Sequence, residues 1–242
     1  GHLIAERIND GDCVQIGIGG IPNAVCEFIA GMKHLGVHTE MMTTGLMRLM
    51  RAGVVDNSKK QMDAGKSVCC FALGTQELYS FMHDNPDTLI KPGSWVNDPH
   101  VIAQNDNQVS INTTIEIDLT GQCCSESIGH LQYSGTGGQS DTATGAQKSK
   151  NGRSFIALYS TAMVKNQKTG EREEISKIVP LLKPGAAVSL SRNDVDFVVT
   201  EYGAVQLRGL SLRKRAELLI GISHPKFRDE LRKSAKDLLY WV

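Results

Sequence analysis

Short apolar runs alternate with amphipathic segments along the 242-residue chain. Buried strands are predicted where apolar and β-branched residues run together between glycines or polar turns. We predict strands at residues 13–18, 37–42, 67–73, 108–119, 154–159, 175–180, 186–190 and 196–200. Helices are predicted where apolar residues recur every three or four positions. They fall at residues 3–9, 22–32, 44–52, 75–84, 98–105, 211–222 and 225–239.

Alternation of the two patterns predicts an α/β fold, because helices then connect strands that run parallel. We expect a mainly parallel open sheet with flanking helices and some mixed strands, forming one domain over residues 1–242. Residues 120–152 are rich in Gly, Ser, Thr and Gln, which predicts a long functional loop. Residues 163–174 are charged and predict a surface hairpin or loop.

Composition narrows the classes of function. The chain has 26 Lys and Arg against 26 Asp and Glu, which argues against a protein that binds nucleic acid by neutralising phosphates. No apolar run approaches the roughly 18 residues that cross a membrane. The chain opens with Gly1 rather than Met, so its start looks cut. It has no visible export signal, so we expect a cytoplasmic protein.

Cysteine spacing predicts free thiols. Four of the six cysteines form the adjacent pairs Cys69-Cys70 and Cys123-Cys124, which match neither a zinc ribbon nor a C-x-x-C redox motif. Buried or half-buried thiols of a reducing cytosol are the simpler interpretation. The seven histidines show no metal-ligand spacing either, so we predict no metal site.

A glycine-rich segment, residues 17–23 (GIGGIPN), lies between a predicted strand and a predicted helix. Such a turn presents backbone N–H groups and a positive helix end to an anion such as a phosphate. It lacks the G-x-G-x-x-G spacing of a dinucleotide site. A tight strand-to-helix turn with no ligand explains the same residues.

Four polar positions have both a chemical and a structural interpretation. Glu40 ends the next predicted strand, at the sheet edge where ligands gather, or is a solvated glutamate. Residues 134–141 (SGTGGQSD) offer consecutive N–H donors to an oxyanion, or form a flexible loop. Asn97, in WVNDP, is an amide donor or a turn former. Polar residues at 191–196 and 200–203 form a site rim or structural ion pairs.

The order of these motifs is more specific than any one of them. The chain resembles the acetyl-CoA hydrolase/transferase family, and within it the 4-hydroxybutyrate and butyrate:acetate CoA-transferases, over residues 11–235. It matches only the C-terminal half of such enzymes. The motifs that carry the resemblance are GIGGIPNA, HTEM, VNDPHVI, IEIDLTGQ, SGTGGQSD, SRNDVDFVVTEYG and ISHPKFR.

The resemblance implies roles for individual residues. Glu40 matches the glutamate that attacks the acyl-CoA thioester and becomes a glutamyl-CoA thioester after an acyl-glutamyl anhydride. Asn97 and the backbone of Gly138 match the groups that bind the thioester oxygen. Ile115 and Gly138 match further CoA contacts. The CoA-contacting loop is matched by Gly17, Ile18, Gly19, Gly20 and Ile21.

The resemblance also implies a CoA-transferase that needs no permanent cofactor, takes CoA and acyl-CoA as substrates, and forms a homodimer or larger homo-oligomer. A glutamate is a carboxylate at neutral pH, so this chemistry needs no general base. Two alternatives stay open: an acyl-CoA hydrolase with the same intermediate, and a non-catalytic CoA-binding module. Neither nucleic acid nor membrane is an expected partner.

Three departures bear on these expectations. Met-Met-Thr-Thr-Gly-Leu-Met follows Glu40, where relatives usually carry an acidic residue just before the glycine. Thr142 follows Asp141, where relatives usually have an aromatic residue. Both positions flank the expected site, so the substrate pocket is expected to differ. The matching N-terminal half, which helps shape the acyl pocket in the family, is absent from this sequence.

Overall fold

A computed structural model describes residues 1–165 and 170–238. The helices are α1 (His2–Ala5), α2 (Gly20–Phe28), α3 (Thr44–Arg51), α4 (Gln76–Met82), α5 (Gly93–Val96), α6 (Pro99–Ile102), α7 (Gln139–Lys148), α8 (Leu212–Gly221) and α9 (Arg228–Asp237), with a 3-10 turn at Pro225–Phe227. The strands are β1 (Cys13–Ile16), β2 (Gly36–Val37), β3 (Met41–Met42), β4 (Ser67–Cys69), β5 (Phe71–Ala72), β6 (Thr88–Ile90), β7 (Gln108–Thr113), β8 (Glu116–Asp118), β9 (Cys123–Cys124), β10 (Ser127–Ile128), β11 (Leu131–Gln132), β12 (Arg153–Ala157), β13 (Thr161–Lys165), β14 (Arg172–Ser176), β15 (Ile178–Val179), β16 (Phe197–Thr200) and β17 (Gly203–Gln206).

The chain forms two compact units. Unit 1 comprises residues 1–113 and 138–155, and unit 2 comprises residues 114–137 and those from 156 onward. In unit 1, β1 lies between β2 and β7 and runs parallel to both, with Val14 level with Val37 and Val109. The pairs β3–β5 and β4–β6 are also parallel. Parallel neighbours end at the same edge, so the loops after them gather there.

Helix α2 shows why unit 1 folds as its pattern predicts. Val25 and Ile29 are fully buried, whereas Phe28 on the opposite side is 55% exposed. The helix begins at Gly20, two residues before the expected start, and Pro22 lies in its first turn. Proline is accepted there because the first turn needs no N–H from it.

Helix α7 corrects the expectation of a long functional loop over residues 120–152. Its sequence, QSDTATGAQK, has no stripe of large apolar residues, and so no helical periodicity is visible. The helix is buried through Ala143, Ala146 and Gly145 instead. A Cβ on Gly145 would lie 2.6 Å from Ile102 of α6, so the two helices pack in close contact. Small residues therefore replace the large apolar face.

Unit 2 contains several short pairings. Strand β8 runs parallel to β15 and antiparallel to β9, and β16–β17 form an antiparallel hairpin. The predicted charged hairpin is confirmed as the antiparallel pair β13–β14, although residues 166–169 lie outside the described residues, as does residue 239 of the last predicted helix. The strand predicted at 186–190 is wrong, because only Leu190 bridges to Cys123. This core includes Ile117, Val198 and Leu219.

The predicted fold class is confirmed: both units mix helices with strands, and unit 1 is mainly parallel.

Among the described residues, no helix is long and apolar enough to cross a bilayer. No group of three or more His, Cys, Asp or Glu in those residues is arranged to bind a metal. All six cysteines are free thiols, and Cys70 alone among them is half-buried rather than buried.

Candidate active site

Glu40 lies in unit 1, on the segment that joins β2 to β3. Its backbone carbonyl accepts hydrogen bonds from the N–H groups of Cys70 at 2.8 Å and Phe71 at 3.3 Å. The N–H of Thr39 donates to the Val68 carbonyl at 3.0 Å. The main chain around Glu40 is therefore fixed against β4 and β5, while its half-buried side chain stays within reach of solvent.

Asn97 follows the single-turn helix α5. Its N–H donates to the Gly93 carbonyl at 2.9 Å, which closes the turn at φ −90° and ψ 1°. The next residue, Asp98, caps α6 by accepting from the N–H of His100 at 2.8 Å. The side-chain Oδ1 of Asn97 is buried and has no hydrogen-bond partner among the described residues. One polar atom of Asn97 is thus left for another contact.

Gly138 completes the group at the N-terminal end of α7. Its N–H donates to Oε2 of Glu40 at 3.2 Å. A Cβ at position 138 would lie 2.6 Å from Nδ2 of Asn97 and 2.8 Å from Oε2 of Glu40. Such distances are far below contact, so only glycine fits there without displacing both groups. The structure brings Glu40, Asn97 and Gly138 together, from positions 57 and 41 residues apart in the sequence.

Two further groups share the electrostatics of this site. Burial raises the pKa of the Asp141 carboxyl, and the neighbouring carboxylates Glu40 and Asp98 raise it further. Burial likewise raises the pKa of the Cys70 thiol to about 11, with the Glu40 carboxylate adding to the effect. Cys70 is consequently a neutral thiol at pH 7. Carboxylates are concentrated in this site. Hydrogen-bond donors beside Glu40, such as the Gly138 N–H and the Asn97 amide, offset their negative charge.

The glycine segment 17–21 lies at the carboxyl end of β1, next to β2. The N–H of Gly17 donates to the Ile111 carbonyl at 2.8 Å, which continues the β1–β7 pairing. Gly19 has φ +120°, a conformation that favours glycine, and Ile18 is 60% exposed. Gly20 and Ile21 form the first turn of α2. Exposed backbone at a helix N-terminus is a suitable surface for a phosphorylated ligand.

Ile115 lies in unit 2. Its N–H donates to the Cys124 carbonyl at 3.0 Å. It lines a pocket of about 190 Å³ together with Tyr159 and Lys177. Burial lowers the pKa of Lys177, and the nearby Glu116 carboxylate opposes that shift.

The polar residues predicted as a site rim in unit 2 have structural partners. The Glu201 carboxylate accepts from the N–H of Ser160 at 2.9 Å and from its hydroxyl at 2.5 Å. Asp196 accepts from the Gln206 amide at 2.9 Å. These bonds fit the structural alternative at those two positions.

Sequence reasoning missed Asp141 and Cys70 as neighbours of Glu40. Asp141 lies one helical turn after Gly138 within the motif SGTGGQSD. A helix over these residues places the two on the same face, so the motif contains a signal for Asp141. Cys70 gave no such signal, because a cysteine between two apolar strands is ordinarily a core residue. Its proximity follows from the pairing of β3 with β5.

The arrangement is suited to acyl chemistry. A carboxylate is an effective nucleophile without activation, and the two amide donors beside it match the charge that develops on a carbonyl oxygen. The fold and the site together define an α/β domain in which a half-buried glutamate lies beside a backbone N–H and a side-chain amide.

Comparison with known proteins assigns the family. Residues 74–235 match the model of the acetyl-CoA hydrolase/transferase C-terminal domain. The chain is 53% identical over 236 residues to succinyl-CoA:cyclohexane-1-carboxylate CoA transferase of Geobacter metallireducens, covering 98% of this chain and 52% of that protein. It is 49% identical over 236 residues to 4-hydroxybutyrate coenzyme A transferase of Clostridium kluyveri, covering 98% and 53%.

A solved structure gives the same result. RipA from Yersinia pestis superposes with a TM-score of 0.90 at 47% sequence identity, over 99% of this chain and 52% of RipA. The chain belongs to the acetyl-CoA hydrolase/transferase family, which confirms the predicted resemblance. It spans about half the length of the curated relatives it matches.

Proposed function

We propose that the protein is an acyl-CoA:carboxylate CoA-transferase in which Glu40 is the nucleophile. The observation that carries the proposal is the contact of its carboxylate with the Gly138 N–H, at 3.2 Å, beside the Asn97 amide. The CoA-transferase names of the relatives support it. The expected donors are short-chain acyl-CoAs, of which 4-hydroxybutyryl-, butyryl- and acetyl-CoA are the first to test.

The first half-reaction loads CoA onto Glu40. One carboxylate oxygen attacks the thioester carbonyl carbon, the carbon–sulfur bond breaks, and CoA leaves as the thiolate with an acyl-glutamyl anhydride left behind. The thiolate then attacks the glutamyl carbonyl carbon of the anhydride. The donor carboxylate leaves, and Glu40 becomes a glutamyl-CoA thioester.

The second half-reaction reverses these steps with a new acid. The incoming carboxylate attacks the glutamyl-CoA thioester, which gives a second anhydride and the CoA thiolate. The thiolate attacks the acyl carbonyl carbon, so the new acyl-CoA leaves and Glu40 returns to the carboxylate. No net proton transfer is needed, and ping-pong kinetics are expected.

The hydrogen bond from Gly138 has a specific use in this scheme. It already lies on Oε2 of Glu40, the oxygen that becomes a carbonyl oxygen in the anhydride and in the thioester. Charge develops on that oxygen whenever a nucleophile attacks the glutamyl carbon. A preorganised donor of this kind contributes about 2.7–4 kcal/mol to transition-state stabilisation.

The decisive experiment traps the intermediate. The protein is incubated with acetyl-CoA, reduced with borohydride and digested, and mass spectrometry locates the modified residue. We expect the modification at Glu40, its loss in Glu40→Gln with CoA binding retained, and no effect of Glu6→Gln, an exposed glutamate on the same unit. An unmodified Glu40 in a folded, CoA-binding sample supports the alternative of a non-catalytic binding module.

Transfer and hydrolysis are separated by the acceptor. The family description covers both hydrolases and transferases, and the two share the glutamyl intermediate in this scheme. With a transferase, acetyl-CoA is consumed beyond one equivalent per active site only when a second carboxylate is present. Consumption at the same rate without an acceptor identifies a hydrolase, in which water attacks the intermediate.

The proposal extends to assembly and location. We infer a cytoplasmic homo-oligomer that uses CoA as a substrate, without a resident cofactor, nucleic acid or membrane as partner. Free thiols at all six cysteines support a reducing compartment. Sedimentation of the protein tests the oligomer, and a monomer at micromolar concentration contradicts it.

A further inference from the structure

His38 lies two residues before Glu40 and is 2% exposed. Its main chain is fixed on both sides, because its N–H donates to the Val14 carbonyl at 3.2 Å and its carbonyl accepts from the Gln108 amide at 3.3 Å. The imidazole therefore projects from a rigid part of the sheet. None of the transfer steps above uses it.

Among the residues that the structure describes, the ring makes one hydrogen bond, to the backbone of Val96 next to Asn97. Nε2 of His38 lies 2.8 Å from the backbone carbonyl oxygen of Val96. A carbonyl only accepts, so Nε2 carries the proton and Nδ1 is the unprotonated nitrogen. Nδ1 is buried and has no partner among the described residues. The Trp95 ring lies 5.8 Å away at a tilt of 44°.

The accepting carbonyl needs this donor. Val96 is 1% exposed and ends α5, a helix of four residues, so its carbonyl has no helical N–H to accept from. A buried carbonyl without a partner is unfavourable. The next residue is Asn97, whose amide nitrogen borders Gly138 and Glu40. Any movement of the Val96 carbonyl would rotate the peptide that carries Asn97.

The His38 imidazole is neutral at pH 7. Burial lowers the pKa of His38 to about 4, and the nearby ammonium groups of Lys60 and Lys91 lower it too. The Val96 carbonyl and the Asp63 carboxylate oppose these effects. A neutral ring cannot exchange protons with substrate at pH 7 as a general acid would, and it does not touch the carboxylate of Glu40 in the described contacts.

We propose that His38 is a positioning residue, which fixes the Asn97 amide beside Glu40 by donating a hydrogen bond from Nε2 to the Val96 carbonyl. The inference rests on the function proposed above. The hydrogen bond from His38 to Val96 joins the strand segment that carries the nucleophile to the turn that carries the second oxyanion donor. Glu40 and Asn97 then keep the same spacing through both half-reactions.

The test compares two substitutions at one position. His38→Phe keeps the ring but removes the donor, whereas His38→Gln places an amide N–H near the position of Nε2. We expect His38→Phe to slow formation of the Glu40 adduct by about tenfold to a hundredfold with CoA affinity unchanged, because misplacement of a catalytic group has effects of this size. His38→Gln is expected to recover most of the rate.

A double substitution shows whether His38 acts through Asn97. We expect His38→Phe to cause no further loss in an Asn97→Ala background. Losses that multiply in the double variant overturn the proposal, as does an unchanged adduct rate in His38→Phe. Should His38→Phe fail to fold, His38→Asn replaces it, since its shorter side chain does not reach Val96.

A spectroscopic readout keeps this inference separate from the proposed function. In a nitrogen-15 spectrum, the side-chain amide resonance of Asn97 is expected to move in the variant that removes the donor and to stay near its native position in His38→Gln. An unmoved resonance overturns the proposal. If the native protein forms no adduct at all, the proposed function fails, and the resonance still decides whether His38 positions Asn97.

Discussion

Helices α2 and α7 are each preceded by a glycine, for different physical reasons. Gly19, before α2, has φ +120° and an open surrounding, since the nearest atom that an added Cβ would meet is Pro22 Cδ at 3.9 Å. Gly138, before α7, has the ordinary φ of −95° but no room for a Cβ. The first glycine is needed for its backbone conformation, and the second is needed for the close approach of Glu40 and Asn97.

The largest expected effect comes from Gly138→Ala. Its backbone accepts alanine, so the Cβ acts by displacing the Asn97 amide and the Glu40 carboxylate. We expect a loss of about 10²–10³ in kcat, the size of the effect of removing one oxyanion donor. Steady-state transfer kinetics measure it, and Gly135→Ala is the control because a Cβ there meets nothing within 4 Å. Native kcat in Gly138→Ala would show that the site tolerates movement and would remove the distinction between the two helix ends.

The next effect is on the free energy of unfolding, through the packing of α7 against α6. Gly145→Ala places a Cβ 2.6 Å from Ile102, and overpacking of this kind destabilises a protein by about 1–3 kcal/mol. Urea denaturation measures the free energy of unfolding. Gly221→Ala, at the end of α8 and with nothing within 4 Å, is expected to be neutral or slightly stabilising. Equal stability of the two variants would mean that α7 shifts freely on α6, and Gly138 would then not be rigidly placed.

The third effect, on CoA binding rather than on turnover, is expected from Gly19→Ala. The left-handed φ of +120° disfavours alanine by about 1–3 kcal/mol, although no neighbour blocks the Cβ. We expect weaker CoA binding by calorimetry, with kcat close to native at saturation. Gly31→Ala, which meets nothing within 4 Å, is the matched control. A fall in kcat without a change in CoA affinity would contradict a binding role for this end of α2.

The sequence predicts those parts of the fold that large apolar residues mark. Helix α2 carries a stripe with Val25 and Ile29, and its prediction differs from the structure only at its ends. Helix α7 lacks such a stripe, because Gly145 and Ala146 let it pack closely, and the spacing of apolar residues does not reveal that. The predicted strand 37–42 is split into β2 and β3, with His38 to Glu40 held between other strands.

The candidate site was predictable only as an ordered set of motifs. Glu40, Asn97 and Gly138 each had an ordinary structural explanation, and their meeting depends on long-range pairing that local patterns do not contain. His38 was visible in the motif HTEM, but its bond to Val96 requires knowing that α5 ends beside the sheet. Tertiary contacts thus supply what the chain order leaves open.

The smallest effect tests whether the two helix ends are linked. The Thr142 hydroxyl of α7 lies 3.1 Å from the Asn112 amide nitrogen and 3.2 Å from the Ser110 hydroxyl. Asn112 in turn bonds to Gln15 of β1, and its Oδ1 would lie 3.1 Å from a Cβ on Gly17. A polar network therefore runs from α7 to the strand that leads into α2.

Thr142→Val keeps the shape of the side chain and removes these bonds. We expect a loss of about 1 kcal/mol in the free energy of unfolding, since buried hydrogen bonds contribute about 0.5–1.5 kcal/mol each. Thr144→Val, on the same helix and half-buried, is the control. If Thr142→Val also weakens CoA binding, the network transmits the position of α7 to the glycine turn before α2. If stability falls while CoA affinity stays native, the two helix ends are placed independently, and the difference between Gly19 and Gly138 reflects two separate sites of constraint.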